Sequence, residues 1–217
     1  MPLHNHASGC GCAGFADSNS STSMNPEGSL LSVIDLSKVR CLNERVSGSA
    51  KGVFKGLHAS ERQDTSSVLE SCEGDTDLLL HVPFLCTVRV TRLCISSAGS
   101  NRSPAKCKLF VDKADLDFSS AEAMTSSQQV DLVEDPLAEL WHPLKVAKFN
   151  NVSSVQLFLT GALHDDIEDV LVSFIGLKGE VTGHISSLPK VVVYESAPRL
   201  ADHQIPSTNS SSRATIE

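Results

Sequence analysis

The chain has 217 residues, of which 41% are hydrophobic and 20% are charged, and its formal net charge is −8. This length suits one domain with additional terminal segments. A surface of this sign repels the phosphates of nucleic acids and the anionic headgroups of membranes, which argues against both classes of partner. The most apolar run, Leu78–Cys86, is interrupted by His81 and Pro83 and is far shorter than the ~20 residues that span a bilayer.

The two ends of the chain differ in composition from its middle. Residues 1–28 are rich in Ser, Asn and Gly and also contain His and Cys, whereas residues 199–217 are rich in Ser. Such segments bury too little apolar surface to offset the entropy lost on ordering, so we expect two disordered tails around one domain at residues 29–198. Since the N-terminus has no apolar run typical of a signal peptide, we expect a cytoplasmic protein, with the nucleus as a second candidate compartment.

Within the middle segment, short runs of β-forming residues alternate with turn residues, which predicts an all-β sandwich or jelly roll. The apolar alternation shifts by one residue between Val88–Val90 and Leu93–Ile95, which predicts a bulge or bend, and Pro143 predicts an edge strand or a break. Only Ile34–Val39 and Ser119–Met124 have patterns of short helices, capped by Asp35 or Ser37 and by a serine, respectively. The expected core positions are Leu80, Val82, Val90, Leu93, Ile95, Leu109, Val155, Leu157, Leu159, Val172, Phe174, Ile175, Val191 and Val193.

The seven cysteines cannot all pair within one chain, because their number is odd. Cys86, Cys94 and Cys107 lie in apolar, strand-like contexts, and we predict that they are buried, reduced thiols, as is usual in a reducing compartment.

Imidazole and thiol groups occur at chelating spacing near the N-terminus, a combination that suits zinc or copper. The segment has no evident structural support, so the pattern favours a tail that binds metal adventitiously over a structural zinc site, and we expect no required cofactor. A disulfide between cysteines one residue apart is disfavoured because the ring would be strained. The candidate ligands are His4, His6, Cys10 and Cys12.

Two further features allow ligand binding but have simpler interpretations. An acidic run could bind calcium or a basic patch on a partner, although it lacks the glycine usual in calcium loops, and a solvated loop is favoured. Trp141 is the one candidate platform for a sugar, but core packing is the favoured interpretation. The acidic run consists of Asp165, Asp166, Glu168 and Asp169.

Catalysis finds little support in the sequence. No Gly-x-Ser-x-Gly motif is present, and the central histidines occur singly. Gly176 and Gly179 do not open a helix, so they indicate a bulge and a close backbone approach better than a phosphate site. We expect no catalytic residues and no enzymatic activity.

Several short segments, taken in order, resemble the PITH domain. The strongest is Ile175–Glu180, which reads Ile-Gly-Leu-Lys-Gly-Glu, and Tyr194-Glu195 is second. The others are Ile34–Leu36, Cys41–Glu44, Gly52–Lys55, Asp75–Phe84 and Phe149–Val152, followed by Ala201-Asp202-His203 near the end. The resemblance implies a jelly-roll β-sandwich of galactose-binding-like type and a function in docking on the proteasome.

By this resemblance we expect a non-enzymatic adaptor or regulator that binds the regulatory particle of the proteasome. The residues expected to contact it are Tyr194, Glu195, Asp202 and His203. Two segments depart from the family pattern, residues 164–169 and 199–203, so a contact made by these loops would be altered. Because the sequence has no Cys-x-x-Cys, the redox activity of thioredoxin-bearing relatives does not carry over. The alternatives are a β-sandwich that binds a sugar or calcium and, third, a metal-dependent activity of the N-terminal His/Cys cluster.

Overall fold

The computed structural model of the chain describes residues 28–183, which form nine strands and two short α-helices. Helix α1 spans Ala59–Arg62 and α2 spans Phe118–Ala123, and two 3₁₀ turns lie at Leu31–Val33 and Ser49–Val53. Neither α-helix in this range has the length and apolar composition needed to cross a bilayer. The strands are β1 (Arg40–Leu42), β2 (Leu69–Glu70), β3 (Leu78–Ser96), β4 (Pro104–Val111), β5 (Gln128–Asp131), β6 (His142–Pro143), β7 (Val152–Ala162), β8 (Leu171–Val172) and β9 (Phe174–Val181).

Strand β3 organises the fold because its 19 residues take part in both layers. Its first half pairs antiparallel with β1 and β7, and β7 continues the sheet through β4 to β5. Its second half pairs antiparallel with β9 and with the edge strand β6. The register with β7 shifts between Pro83 and Val88, and that with β9 shifts between Val90 and Arg92, so the predicted irregularity is confirmed.

One hydrophobic core lies between the two layers. Side chains of the first layer, such as Leu80 and Leu157, belong to the same buried cluster as Leu93 and Ile175 of the second. The described residues therefore form an all-β jelly-roll sandwich, as predicted. Twelve of the fourteen expected core residues are buried, and the other two, Val191 and Val193, lie outside the described range.

The helix predicted at Ile34–Val39 is absent, and the helix predicted at Ser119–Met124 is present but has a different N-cap. Ile34 is extended, and the following residues form a single turn in which Lys38 N donates to Asp35 O over 3.0 Å. The second helix is confirmed as α2, but it begins at Phe118 rather than after a serine cap. The capping group is Asp117, whose Oδ1 accepts from Ser120 N over 2.8 Å.

Each layer also carries a smaller cluster on its outer face. On the first layer, α2 covers Leu79, Phe110 and Phe158 through Ala121. On the second layer, the loop between β5 and β6 places Ala138 against Cys94 and Phe174. This second cluster positions the surface described next.

Candidate functional site

The loop between β5 and β6 presents apolar side chains to solvent. Val133, Leu137 and Leu140 are all more than 40% exposed, while Trp141 is half-buried. We call these four residues the loop platform. Within residues 28–183, three of the eight exposed large apolar side chains lie in this one loop. Exposed apolar side chains that are grouped in this way are typical of sites where another macromolecule binds.

Asp135 fixes the shape of this loop from within. Its Oδ1 accepts from Glu139 N over 3.0 Å and its Oδ2 accepts from Leu140 N over 2.7 Å. Its carbonyl accepts from Ser96 Oγ over 2.6 Å, which ties the loop to β3. The backbone that carries Leu137 and Leu140 is therefore held in place before any partner binds, which lowers the entropic cost of association.

Ala138 anchors the centre of the loop to the sheet. Its side chain is fully buried, its φ is +54°, and its carbonyl accepts a hydrogen bond from the Arg62 guanidinium. A left-handed conformation is costly for alanine, so the surrounding contacts must hold it there. The loop follows the contour of the outer face, and Leu137 and Leu140 lie on its solvent side.

Trp141 packs at the end of the platform, beside the outward-facing side of β9. The Lys178 Nζ lies 4.3 Å from the centroid of the indole, a cation–π contact. A Cβ placed on Gly176 would come within 2.7 Å of Trp141 Cη2, so the indole needs a glycine beneath it. The interpretation of Trp141 as a packing residue is confirmed, and an ammonium group already lies against the ring that a sugar would need.

Gly179 confirms the predicted close backbone approach. A Cβ at this position would lie 1.9 Å from the carbonyl oxygen of Arg89 on β3. The glycine pairs with Val90, next to the register shift between Val90 and Arg92. The Gly-x-x-Gly spacing of β9 therefore serves strand packing.

Part of the acidic run is held by ion pairs. Asp169 contacts Arg102 and Arg45, with the shortest N–O distance 2.6 Å in each case, and Arg102 also pairs with Glu70 over 2.9 Å. The exposed residues are Asp165, Asp166 and Glu168. Over residues 28–183, no three His, Cys, Asp or Glu side chains are grouped so that they could hold a metal ion.

The buried thiols are poorly suited to chemistry. Burial raises the pKa of Cys94 to about 12, and the nearby Asp135 carboxylate acts in the same direction. Burial also raises the pKa of Cys107 and of Cys86. All three are buried and unpaired, as predicted, and they stay protonated at neutral pH and are weak nucleophiles.

A cleft of about 220 Å³ on the first layer contains a histidine. The His81 Nδ1 lies 3.1 Å from Gln156 Nε2, an amide donor, so Nδ1 accepts and the imidazole is neutral in this arrangement. Burial lowers the pKa of His81, and the positive charge of Arg40 lowers it further. The lining residues are Arg40, Leu42, Leu79, Leu80, His81, Ala114, Asp115, Leu116 and Gln156.

None of the predicted partner contacts and none of the candidate metal ligands falls within the described part of the chain. The expected partner contacts Tyr194, Glu195, Asp202 and His203 lie beyond residue 183, and the candidate metal ligands His4, His6, Cys10 and Cys12 lie before residue 28. Trp141 was a candidate in the sequence, whereas Asp135, Leu137 and Leu140 were not. The Asp135-Pro136 pair is a turn signal that could have indicated the loop.

Comparisons with known proteins place this geometry in a family. The model of the PITH domain matches residues 20–198. A PITH domain-containing protein of Drosophila melanogaster is 33% identical over 93% of this chain and 92% of its own length. Another from Caenorhabditis elegans is 33% identical over 81% of both chains, and PITH domain-containing protein 1 of Homo sapiens is 30% identical over 79% of both.

Solved structures with a similar outline are more distant. A CBM32 domain from a family 31 glycoside hydrolase of Clostridium perfringens is 11% identical, with a TM-score of 0.45, over 68% of this chain and 95% of its own. An F5/8 type C domain of a Bacteroides fragilis protein is also 11% identical, with a TM-score of 0.47, over 69% and 97%. The family model covers most of the chain and these relatives match between 79% and 93% of it, so this chain belongs to the PITH domain family.

Proposed function

We propose that the protein is a non-enzymatic interaction module of the cytoplasm, with the nucleus as a second candidate compartment, and that it docks on the regulatory particle of the proteasome. The observation that carries the proposal is the loop platform, an exposed apolar surface on a backbone fixed by Asp135. The choice of partner comes from the resemblance to the PITH domain, whose members are associated with the proteasome.

The energetics of such a surface favour protein binding. Leu137 and Leu140 are already exposed in the free protein, so covering them removes apolar area from water. The loop needs no reordering, since Asp135 and Ala138 hold it against β3 and β9. Rigid apolar anchors of this kind commonly supply most of the affinity of an interface.

Two buried thiols and one hydrogen-bonded imidazole support a function that does not involve catalysis. The Cys94 and Cys107 thiols are protonated, and the His81 ring is engaged by Gln156. A catalytic base or nucleophile needs an accessible group whose pKa is matched to its task.

Recovery of proteasome subunits from cytosol tests the proposal. Three tagged chains are compared by quantitative mass spectrometry: the intact protein, Leu137→Asp/Leu140→Asp, and Asp202→stop, which removes Asp202 and His203. We expect the intact chain to recover regulatory-particle subunits and the platform variant to lose them. Truncation at Asp202 separates the contribution of the C-terminal segment, and failure of the intact chain to enrich any regulatory-particle subunit contradicts the proposal.

A further inference from the structure

Two cations face each other across the outer side of the second layer. Arg92 on β3 pairs in register with Lys178 on β9. Like charges placed directly opposite each other in an antiparallel sheet repel. Over residues 28–183, neither side chain has a carboxylate at ion-pair distance, whereas the neighbouring Arg89 is paired with Glu180 over 3.1 Å.

Trp141 keeps one of these cations in place. The Lys178 Nζ rests 4.3 Å from the centroid of the indole, which itself lies over Gly176. The ammonium is thereby directed along the sheet surface at the end of the loop platform. A positive site next to exposed apolar residues results, on a protein whose net charge is −8.

The surface beside the two cations has room for a chain. A shallow depression of about 330 Å³ opens there, and two of its walls are glycines. The depression is lined by Gly28, Thr91, Arg92, Lys178, Gly179 and Glu180.

We propose that Arg92, Lys178 and Trp141 form a subsite for an acidic peptide segment of the protein partner, with carboxylates on the two cations and an apolar residue against the platform. This inference rests on the proposed docking function and specifies the chemistry of the partner. Bound carboxylates relieve the Arg92–Lys178 repulsion, so complementarity arises from charges that are unfavourable in the free protein. A polyphosphate or a membrane is a poorer match, because Glu180 lines the same depression and the protein as a whole is acidic.

Fluorescence anisotropy with a labelled peptide of alternating Glu and Leu tests the subsite on the full chain. A peptide with Gln in place of Glu is its control. We expect the Glu peptide to bind, its affinity to fall as salt is added, and Arg92→Gln or Lys178→Gln to weaken it about five-fold or more. The matched control variant is Arg89→Gln, which removes the same charge from the same face. Unlike Arg92, Arg89 is already hydrogen-bonded to Glu180 and Asn150.

Thermal unfolding shows that the variants are folded. Each variant should unfold in one cooperative transition, and Lys178→Glu, which reverses the charge at the subsite, should abolish binding of the Glu peptide. Equal weakening by Arg89→Gln and Arg92→Gln overturns the subsite, and so does equal binding of the Gln peptide. Binding to phosphatidylserine vesicles that is lost with the same two substitutions overturns the choice of a peptide. These failures leave the docking function standing, since that function is judged from the Leu137 and Leu140 substitutions.

Discussion

Arg102 binds Asp169 at two points, with Nε 2.8 Å from Oδ1 and Nη2 2.6 Å from Oδ2. Both side chains are about three-quarters buried, and the same guanidinium also donates to Glu70. Arg45 closes the group by contacting Asp169 and Glu70 from the other side. The cluster joins the loop before β8 to β2, so a segment that reads as a solvated acidic run is partly a structural clamp.

Asp169→Asn should destabilise the protein. The substitution leaves two partly buried guanidinium groups without one of their carboxylates, and we expect a loss of about 1–3 kcal/mol in the free energy of unfolding. Glu168→Gln is the matched control, because it removes the same charge from an exposed neighbour and should change stability by less than about 0.5 kcal/mol. Urea unfolding of both variants measures the difference, and equal effects would show that the clamp contributes nothing.

Gly179→Ala should be strongly destabilising. The added methyl group would meet the Arg89 carbonyl at 1.9 Å, and this neighbour is backbone, which cannot rotate away. We expect the free energy of unfolding to fall by about 1–3 kcal/mol or more. Gly74→Ala is a useful comparison, because nothing lies within 4 Å of its Cβ position but its φ is +79°, so it reports conformational strain without a clash. A Gly179→Ala protein as stable as the original would contradict the described pairing of β3 with β9.

Stability should fall as His81 becomes protonated. Burial holds the folded-state pKa of His81 below its ordinary value of 6.5, so between these two values the unfolded chain binds more protons than the folded one. The contribution of the neutral ring is therefore full above pH 6.5, is lost as pH falls through that value, and levels off below the folded pKa. We expect the stability of the original protein to drop more steeply than that of His81→Asn between about pH 7 and 5. Parallel pH curves for the two proteins would contradict this account.

The thiols should react in the order of their burial. Cys72 is exposed, whereas Cys94 and Cys107 are fully buried. In a Cys10→Ser/Cys12→Ser background, a thiol reagent should modify Cys72 quickly and reach the buried pair only on unfolding. Mass spectrometry of the labelled peptides identifies each site, and Cys72→Ser should remove the fast phase. Rapid labelling of Cys107 in the native protein would be inconsistent with its position between β5 and β7.

The sandwich could be predicted because side-chain alternation reports burial directly. Leu80, Val82, Leu157 and Leu159 alternate on paired strands and all point into the one core. The Ile34–Val39 segment was wrongly predicted to be helical because an Asp-x-Ser pattern caps turns as readily as helices. Its conformation depends on a long-range contact, since Asp35 N donates to Pro83 O.

Several segments that carry the family resemblance within residues 28–183 prove to be structural. Asn43 and Asn151 both adopt positive φ, at +68° and +55°, and Asn43 Nδ2 donates to Asp77 O over 2.7 Å. Gly179 permits the close approach of β3 and β9. These positions identify the fold well, but they do not indicate where a partner binds.

The loop platform could not be predicted because it breaks the usual rule of burial. Leucine is usually a core residue, so the sequence gives no sign that Leu137 and Leu140 are exposed. Only the tertiary fold exposes them. Asp135 marks a turn in the sequence, but its hydrogen bond to Ser96 joins residues 39 positions apart. Exposure and rigidity at this loop are therefore properties of the assembled sandwich.

Titration of the purified proteasome regulatory particle against the immobilised protein tests the central claim most directly. We predict saturable binding that Leu137→Asp/Leu140→Asp weakens by at least about 10-fold. Leu42→Asp is the control, because Leu42 has the same exposed fraction as Leu140, 42% against 41%, but lies on β1 of the other layer. Equal weakening by the platform variant and by Leu42→Asp, or no binding by the original protein, would contradict the account.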